Sequence, residues 1–253
     1  MSSGIINPEA PIRPAAESGM TMAFQPIVDV VEGRVYAYEA VLHGPEGETA
    51  AEIFARIVPE SRGDFDRRCA AAAVRWAMAA GLGNTAARLC IPVHAPGASV
   101  PGEPMLTAVR IGRQCGLIPE RMIFALHGYQ DLPGAKLADI VHCNASMGSQ
   151  TIFVGLGADQ VGLGACARYA PNAVKLDSDL VSGIANSWSR RLVLEDLTPR
   201  VRKLGIRILA GGVDSQAVLA RLRSFGIFHV QGDHVGPPEI GVLPEPILQR
   251  DAA

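Results

Sequence analysis

The strongest constraint on the fold is an alternation of short apolar strands and helices that runs from about residue 49 to residue 231. It follows two β-rich segments, 23–31 and 34–42, which are separated only by a turn at Glu32-Gly33. Strands joined by so short a turn must be antiparallel neighbours. Strands that are separated by helices form a parallel sheet through right-handed crossovers. The sequence therefore predicts one antiparallel strand pair followed by a series of parallel strands.

The number of strands indicates how the sheet is completed. Six further strands are expected at 89–93, 122–126, 151–154, 173–176, 207–210 and 228–231. Helices are expected at 49–58, 64–81, 104–116, 133–147 and 215–225, with a short helix after the strand at 151–154 and a long helical region that Pro199 interrupts. Eight strands are enough to close a barrel, and 253 residues is a usual length for an α/β barrel. We expect an α/β fold, a modified TIM-like (β/α)8 barrel with an antiparallel first strand.

The chain is expected to contain one folded domain. Residues 1–21 are rich in proline, glycine and serine and are predicted to form a flexible tail. Residues 22–250 show no linker and no internal repeat, and are predicted to form a single barrel domain. Hydrophobic residues make up 48% of the chain, which is enough to fill one large core.

Charge and cysteine content narrow the expected partners and compartment. The formal net charge is −2 and no run of Lys or Arg occurs, so we expect no binding to a nucleic acid polymer. The five cysteines are odd in number and form no C-x-x-C pair, which is typical of reduced thiols. No apolar run reaches membrane-spanning length, and the first 20 residues lack an apolar signal segment. We therefore expect a cytoplasmic protein that does not associate with a membrane.

Four groups of segments resemble one family in their order. They are Phe-Gln-Pro-Ile-Val at 24–28 with Tyr-Glu-Ala-Val at 38–41, Val-Lys-Leu-Asp at 174–177, Ala-Gly-Gly-Val-Asp at 210–214, and the segment 225–238 with Gln231. Together they resemble the EAL-domain family of cyclic-di-GMP phosphodiesterases. The resemblance implies a barrel with an antiparallel first strand and a two-metal site, in which carboxylates and an Asn hold Mg²⁺ or Mn²⁺ and activate a water.

The chain departs from that family at most of the expected metal ligands. Glu39 matches the first ligand, but the other ligand positions fall on residues whose side chains carry no oxygen. These are Pro92, Ala125, Val154, Gly155 and Gly211. Because Mg²⁺ requires a dense cluster of oxygen ligands, we expect no metal cofactor and no catalytic residue. Glu39 and Lys175 are then remnants of the catalytic site.

Six residues remain as candidates for ligand binding: Gln25, Glu39, His43, Lys175, Asp177 and Gln231. Glu39 is either a relic ligand or the partner of Lys175 in a buried ion pair, and we favour the pair. Gln25 and Gln231 either touch a nucleotide or are ordinary polar residues of the barrel rim. His43 stands where the family carries an Arg that contacts phosphate, and imidazole lacks the permanent charge of Arg.

The strand ends also carry four histidines, His43, His94, His127 and His229. Their spacing allows a zinc site, since imidazole suits Zn²⁺, but we favour four separate rim residues. The glycine-rich segment 155–164 is not a phosphate-binding P-loop. In the EAL family the corresponding region supports dimer contacts, so a homodimer remains open.

The sequence leads to three hypotheses of function. The first is a catalytically inactive EAL-like regulatory protein in bacterial signalling, which acts by contacting another protein. The second is a receptor that binds cyclic di-GMP without hydrolysing it, and the third is a weak cyclic-di-GMP phosphodiesterase.

Overall fold

The structure, a computed structural model, describes residues 20–44, 46–94, 102–157 and 159–248. Its strands are β1 (Thr21–Asp29), β2 (Arg34–His43), β3 (Arg88–His94), β4 (Met122–His127), β5 (Gln150–Leu156), β6 (Ala173–Leu176), β7 (Arg207–Ala210), β8 (His229–Val230) and β9 (Glu239–Ile240). Its α-helices are α1 (Ala50–Arg56), α2 (Arg62–Ala79), α3 (Glu103–Cys115), α4 (Gly134–Met147), α5 (Gln160–Tyr169), α6 (Ser178–Val181), α7 (Trp188–Lys203) and α8 (Gln216–Ser224).

The strands form a closed barrel. Strands β2 to β8 are parallel and follow one another in chain order. Strand β1 closes the ring because it pairs antiparallel with both β2 and β8. The predicted TIM-like barrel with an antiparallel first strand is confirmed.

The turn between β1 and β2 explains why this pair is antiparallel. The Asp29 carboxylate accepts hydrogen bonds from the backbone N–H groups of Val31 (3.0 Å) and Glu32 (3.1 Å). Gly33 then adopts φ +62°, a conformation that glycine reaches at little cost. These local interactions reverse the chain before any tertiary packing is needed.

Three details differ from the predictions. Strand β8 has two residues instead of four, and β9, which pairs antiparallel with β1, was not expected. Both are too short to leave a pattern in the sequence. Helix α7 runs through Pro199 without interruption. Buried Leu194, Leu197 and Val201 anchor this helix on both sides of the proline, so tertiary packing outweighs the lost hydrogen bond.

The barrel interior is layered. Because alternate side chains of a strand point to opposite faces, every second residue faces inward. The middle layer is apolar and includes Ile27, Ile123, Ile152 and Leu209, all fully buried. A second and larger apolar cluster fills the space between strands and helices. The middle layer is thus a floor on which the polar side chains of the carboxyl strand ends rest.

Three further expectations concern membrane spans, the cysteines and the N-terminal tail. Among the described residues, no helix is long and apolar enough to cross a membrane. All five cysteines are free thiols, as predicted. The predicted flexible tail, 1–21, lies almost entirely outside the described residues, although β1 already begins at Thr21.

Two helical glycines test the packing of the helices against the barrel. A Cβ atom on Gly112 of α3 would lie 2.0 Å from the Met122 side chain and 2.9 Å from the Leu117 carbonyl oxygen, whereas one on Gly164 of α5 would meet nothing within 4 Å. We expect Gly112→Ala to lower the free energy of unfolding by about 1–3 kcal/mol through overpacking. Gly164→Ala should raise it by up to about 1 kcal/mol through helix propensity.

Chemical denaturation of both variants and the wild type measures these changes. Equal effects of the two substitutions would contradict the close packing of α3 against β4.

Candidate functional site at the carboxyl ends of the strands

A cavity of about 390 Å³ and a larger one of about 630 Å³ open at the carboxyl ends of the barrel strands. The larger cavity lies over the apolar floor, where α/β barrels carry their functional residues. Five of the six residues predicted to bind a ligand line this larger cavity: Gln25, Glu39, Lys175, Asp177 and Gln231.

Glu39 is the centre of this site. Its Oε2 atom accepts a hydrogen bond from Lys175 Nζ at 2.7 Å and another from Gln231 Nε2 at 2.5 Å. Its side chain is 9% exposed and that of Lys175 is 17% exposed. Glu39 on β2, Lys175 on β6 and Gln231, which directly follows β8, all face the barrel interior. The expected contact between Glu39 and Lys175 is therefore present, and it is shielded from most of the solvent.

The charge state of Glu39 follows from these contacts. Burial raises the pKa of the carboxyl group, but the Lys175 charge and the hydrogen bonds from Lys175 and Gln231 outweigh burial and hold the pKa below its usual value. A depressed pKa stabilises the fold above the unfolded-state pKa of about 4.3, and this contribution is lost as the pH falls through the folded-state value. At neutral pH the pair is ionised.

Gly211 provides the space that Lys175 uses. A Cβ atom built on Gly211 would lie 2.9 Å from Lys175 Cε. Any larger side chain at this position would therefore displace the lysine from its present position. A carboxylate side chain at 211 would therefore occupy the space that Lys175 uses when it contacts Glu39.

The side chains around Glu39 do not fit a two-metal site. Val154, Gly155 and Gly211 line the cavity without offering an oxygen, and Ala125 belongs to the apolar middle layer. Asp159, the nearest aspartate in the chain to Gly155, instead caps α5 through a 2.7 Å hydrogen bond from Gly162 N. In the part of the chain that the structure describes, no three His, Cys, Asp or Glu side chains are grouped to hold a metal ion.

Two of the predicted residues have local structural roles. Asp177 lines the cavity, but its carboxylate also caps α6 by accepting from Asp179 N at 2.8 Å. His43 does not line the cavity, although sequence reasoning grouped it with Glu39. It ends β2, its carbonyl accepts from the Thr21 hydroxyl at 3.0 Å, and its buried Nε2 lacks a partner among the described residues. It lies four residues beyond Glu39 along the strand, which carries it away from the cavity.

The four histidines do not converge. The rings of His94 and His127 stack with centroids 5.1 Å apart. His229 begins β8 at the opposite end of the barrel, where its Nε2 is 3.7 Å from Asp29. Burial, and next the neighbouring His94, lower the pKa of His127 to about 4, so this imidazole is neutral at pH 7. This arrangement fits four separate histidines, which we favoured from the sequence, better than it fits a zinc site.

Sequence reasoning missed Asp66. This aspartate is 3% exposed, and its carboxylate accepts from His94 N at 3.1 Å. Its position carried a signal, because it falls on the buried face of α2 together with Ala70, Ala73 and Ala77. An acidic residue at a helical core position indicates a buried polar contact. Asp66 and His94 line the smaller cavity, which shares Glu39 and His127 with the larger one.

Fold and site together define a class: a TIM-like barrel with one reversed strand and a ligand-sized polar cavity at the carboxyl strand ends. The sequence pattern described as the EAL domain matches residues 11–238. The chain belongs to the EAL domain family.

Individual relatives agree with this assignment. A standalone EAL protein from Vibrio cholerae O395, solved in a cyclic-di-GMP-bound form, has 26% identity and a TM-score of 0.81 over 92% of this chain and 97% of that chain. BlrP1 of Klebsiella pneumoniae, solved with manganese and cyclic di-GMP, shares the fold with 24% identity and a TM-score of 0.83 over 95% of this chain and 61% of that chain.

A third relative is the blue light- and temperature-regulated antirepressor BluF of Escherichia coli K12. It is 23% identical over 225 residues, which are 88% of this chain and 55% of BluF. The chain thus spans about half the length of this curated relative.

The Glu39–Lys175 pair can be tested by a double-mutant cycle. Glu39→Gln leaves the Lys175 ammonium without its counter-charge in a mostly buried place, and should lower the free energy of unfolding by roughly 3 kcal/mol. Lys175→Met in the Glu39→Gln background should recover part of this loss. Denaturant unfolding of the wild type, both single variants and the double variant gives the coupling energy. Additive effects of the two substitutions would contradict the pairing.

Proposed function

We propose that this protein is a catalytically inactive EAL-family regulator of bacterial signalling, which acts in the cytoplasm by contacting another protein. The observation that carries the proposal is the state of Glu39. The carboxylate that the family resemblance assigns to metal binding is held by Lys175 and Gln231, at 2.7 and 2.5 Å. A divalent cation would have to displace the ammonium from this position, and among the described residues no three His, Cys, Asp or Glu side chains are grouped to receive it.

Phosphodiester hydrolysis in a two-metal site needs both cations, because they activate the water and neutralise the charge of the phosphodiester. The side chains at 92, 125, 154, 155 and 211 offer no oxygen for this purpose. Losing a single member of a catalytic unit already costs orders of magnitude in rate. This argues against the third hypothesis, a weak phosphodiesterase.

The second candidate function is a receptor that binds cyclic di-GMP without hydrolysis. In its favour, the larger cavity measures about 630 Å³ and retains Gln25, Lys175 and Gln231. The cyclic-di-GMP-bound Vibrio cholerae relative also supports it. Against it, the described lining contains four carboxylates, on Glu39, Asp177, Asp214 and Asp233, and one lysine. A cavity with four carboxylates and a single lysine repels a dianionic ligand.

Support for a protein partner comes from the surface and from BluF. A groove of about 300 Å³ lies between α5 and α7 and is lined by Leu163, Leu192 and Leu197 among charged residues. Trp188, one turn before Leu192 on α7, is 68% exposed. Exposed apolar groups of this kind mark interaction surfaces. An antirepressor, as BluF is described, acts against a repressor, which fits a function without catalysis.

Cyclic-di-GMP turnover and binding test the proposal together. With Mg²⁺ or Mn²⁺ at neutral pH, we expect no hydrolysis above the no-enzyme rate, measured by chromatography of the products. Calorimetry with cyclic di-GMP, with and without each metal, should show no binding. Binding that is independent of metal would instead select the receptor function. Metal-dependent turnover that Glu39→Ala abolishes would contradict the proposal, whereas turnover that survives Glu39→Ala would indicate a contaminating enzyme.

A further inference from the structure

The smaller cavity lies at the carboxyl ends of strands β2 and β3, next to helices α1 and α2. Its volume is about 390 Å³, within the range of roughly 300–1,000 Å³ that small-molecule sites occupy. Most of its wall is apolar and includes Met22, Leu42, Phe54, Ala73 and Ile91. Helix α1 contributes Ala50, Ala51 and the half-buried Phe54 to the lining, and none of its residues is fully buried.

The polar groups of this cavity come from a few side chains. The Asp66 carboxylate, 2% exposed, accepts from His94 N through Oδ2, while its Oδ1 lies 3.5 Å from His94 Nδ1. That ring nitrogen is buried and has no hydrogen-bond partner among the described residues. Buried polar atoms are nearly always paired, so an unpaired one next to a cavity indicates a missing partner.

Three aromatic rings, which are tilted or stacked against one another, line part of the cavity. The ring centroids of Phe54 and His94 are 3.9 Å apart, and those of His94 and His127 are 5.1 Å apart with the ring planes 19° from parallel. Aromatic faces favour planar partners that stack or meet them edge to face.

The charge of the cavity selects against anions. Its described lining residues include the Asp66 carboxylate and that of Glu39, which Lys175 pairs from the larger cavity, but no lysine or arginine. A phosphate or sulfonate would therefore enter without a counter-charge, whereas a neutral or cationic group would not be repelled. In this respect the smaller cavity differs from the larger one, which contains Lys175.

We propose that the smaller cavity is a binding site for a planar aromatic molecule that is neutral or cationic, carries no phosphate and presents an N–H donor to Asp66. The ring system lies against Phe54 and His94, and the N–H group points between Asp66 Oδ1 and the unpaired His94 Nδ1, which lie 3.5 Å apart. This site is independent of cyclic-di-GMP binding, although Glu39 and His127 border both cavities.

Two fluorescent dyes with the same ring skeleton test the proposal. N-phenyl-1-naphthylamine is neutral and has one N–H donor, and 1-anilinonaphthalene-8-sulfonate adds a single negative charge. Titration of the full chain should give saturable, one-to-one binding of the neutral dye, and at least tenfold weaker binding of the sulfonate. Non-saturable fluorescence of the neutral dye, or equal affinities for the two dyes, would overturn the proposal.

Matched variants locate the dye. Ala73→Leu fills the cavity from α2 and should weaken binding of the neutral dye at least tenfold, whereas Ala72→Leu, next to it but outside the lining, should leave binding unchanged. Phe54→Ala removes a half-buried ring of α1 from the lining and should also weaken binding of the neutral dye. This variant provides the test if Ala73→Leu fails to fold. Asp66→Asn should narrow the affinity difference between the two dyes. Unchanged binding in Phe54→Ala and in a folded Ala73→Leu would place the dye elsewhere and overturn the proposal.

Discussion

The arrangement of the barrel mouth depends on one electrostatic constraint, the need of the buried Glu39 carboxylate for a positive partner. Isolated charges are very costly to bury, and a carboxylate without a partner would take up a proton instead. Lys175 meets this need directly, and Gln231 adds a second donor to the same oxygen atom. Gly211 leaves the space that the lysine side chain occupies. The identity of the residues at 175, 211 and 231 thus follows from the presence of Glu39.

The apolar packing of the barrel is separate from this polar site. The apolar middle layer lies below the site, and the cluster between strands and helices surrounds the ring. Neither cluster includes a polar residue of the mouth. This separation of scaffold and site allows one barrel to serve proteins with different activities. It also explains how membership of the EAL domain family is compatible with a function that needs no hydrolysis, as we propose.

The sequence alone predicted most of the barrel, because strand–helix alternation and a tight first turn are local patterns that tertiary packing did not override. Packing overrode the sequence pattern in α7. This helix continues through Pro199, because Leu194 and Leu197 before the proline and Val201 after it are buried. The Glu39–Lys175 contact was also predictable, since both side chains face the barrel interior in the carboxyl halves of their strands. The contact of Asp66 with His94 and the cavity beside it were not, because they depend on how α1 and α2 pack against the barrel. His43 lies outside the larger cavity for a similar reason. The alternation of side chains along β2 predicts which face a residue occupies, but not how far along the barrel axis it lies.

Manganese binding tests most directly whether Lys175 has taken the place of a metal ion at Glu39. Aqueous Mn²⁺ gives a sharp paramagnetic resonance signal that is lost when a protein coordinates the ion. We expect the wild-type protein to leave the signal unchanged at neutral pH, because the described residues around Glu39 offer too few oxygen ligands. Stoichiometric loss of the signal, reversed by Glu39→Gln, would contradict this explanation and show that Glu39 still holds a metal ion.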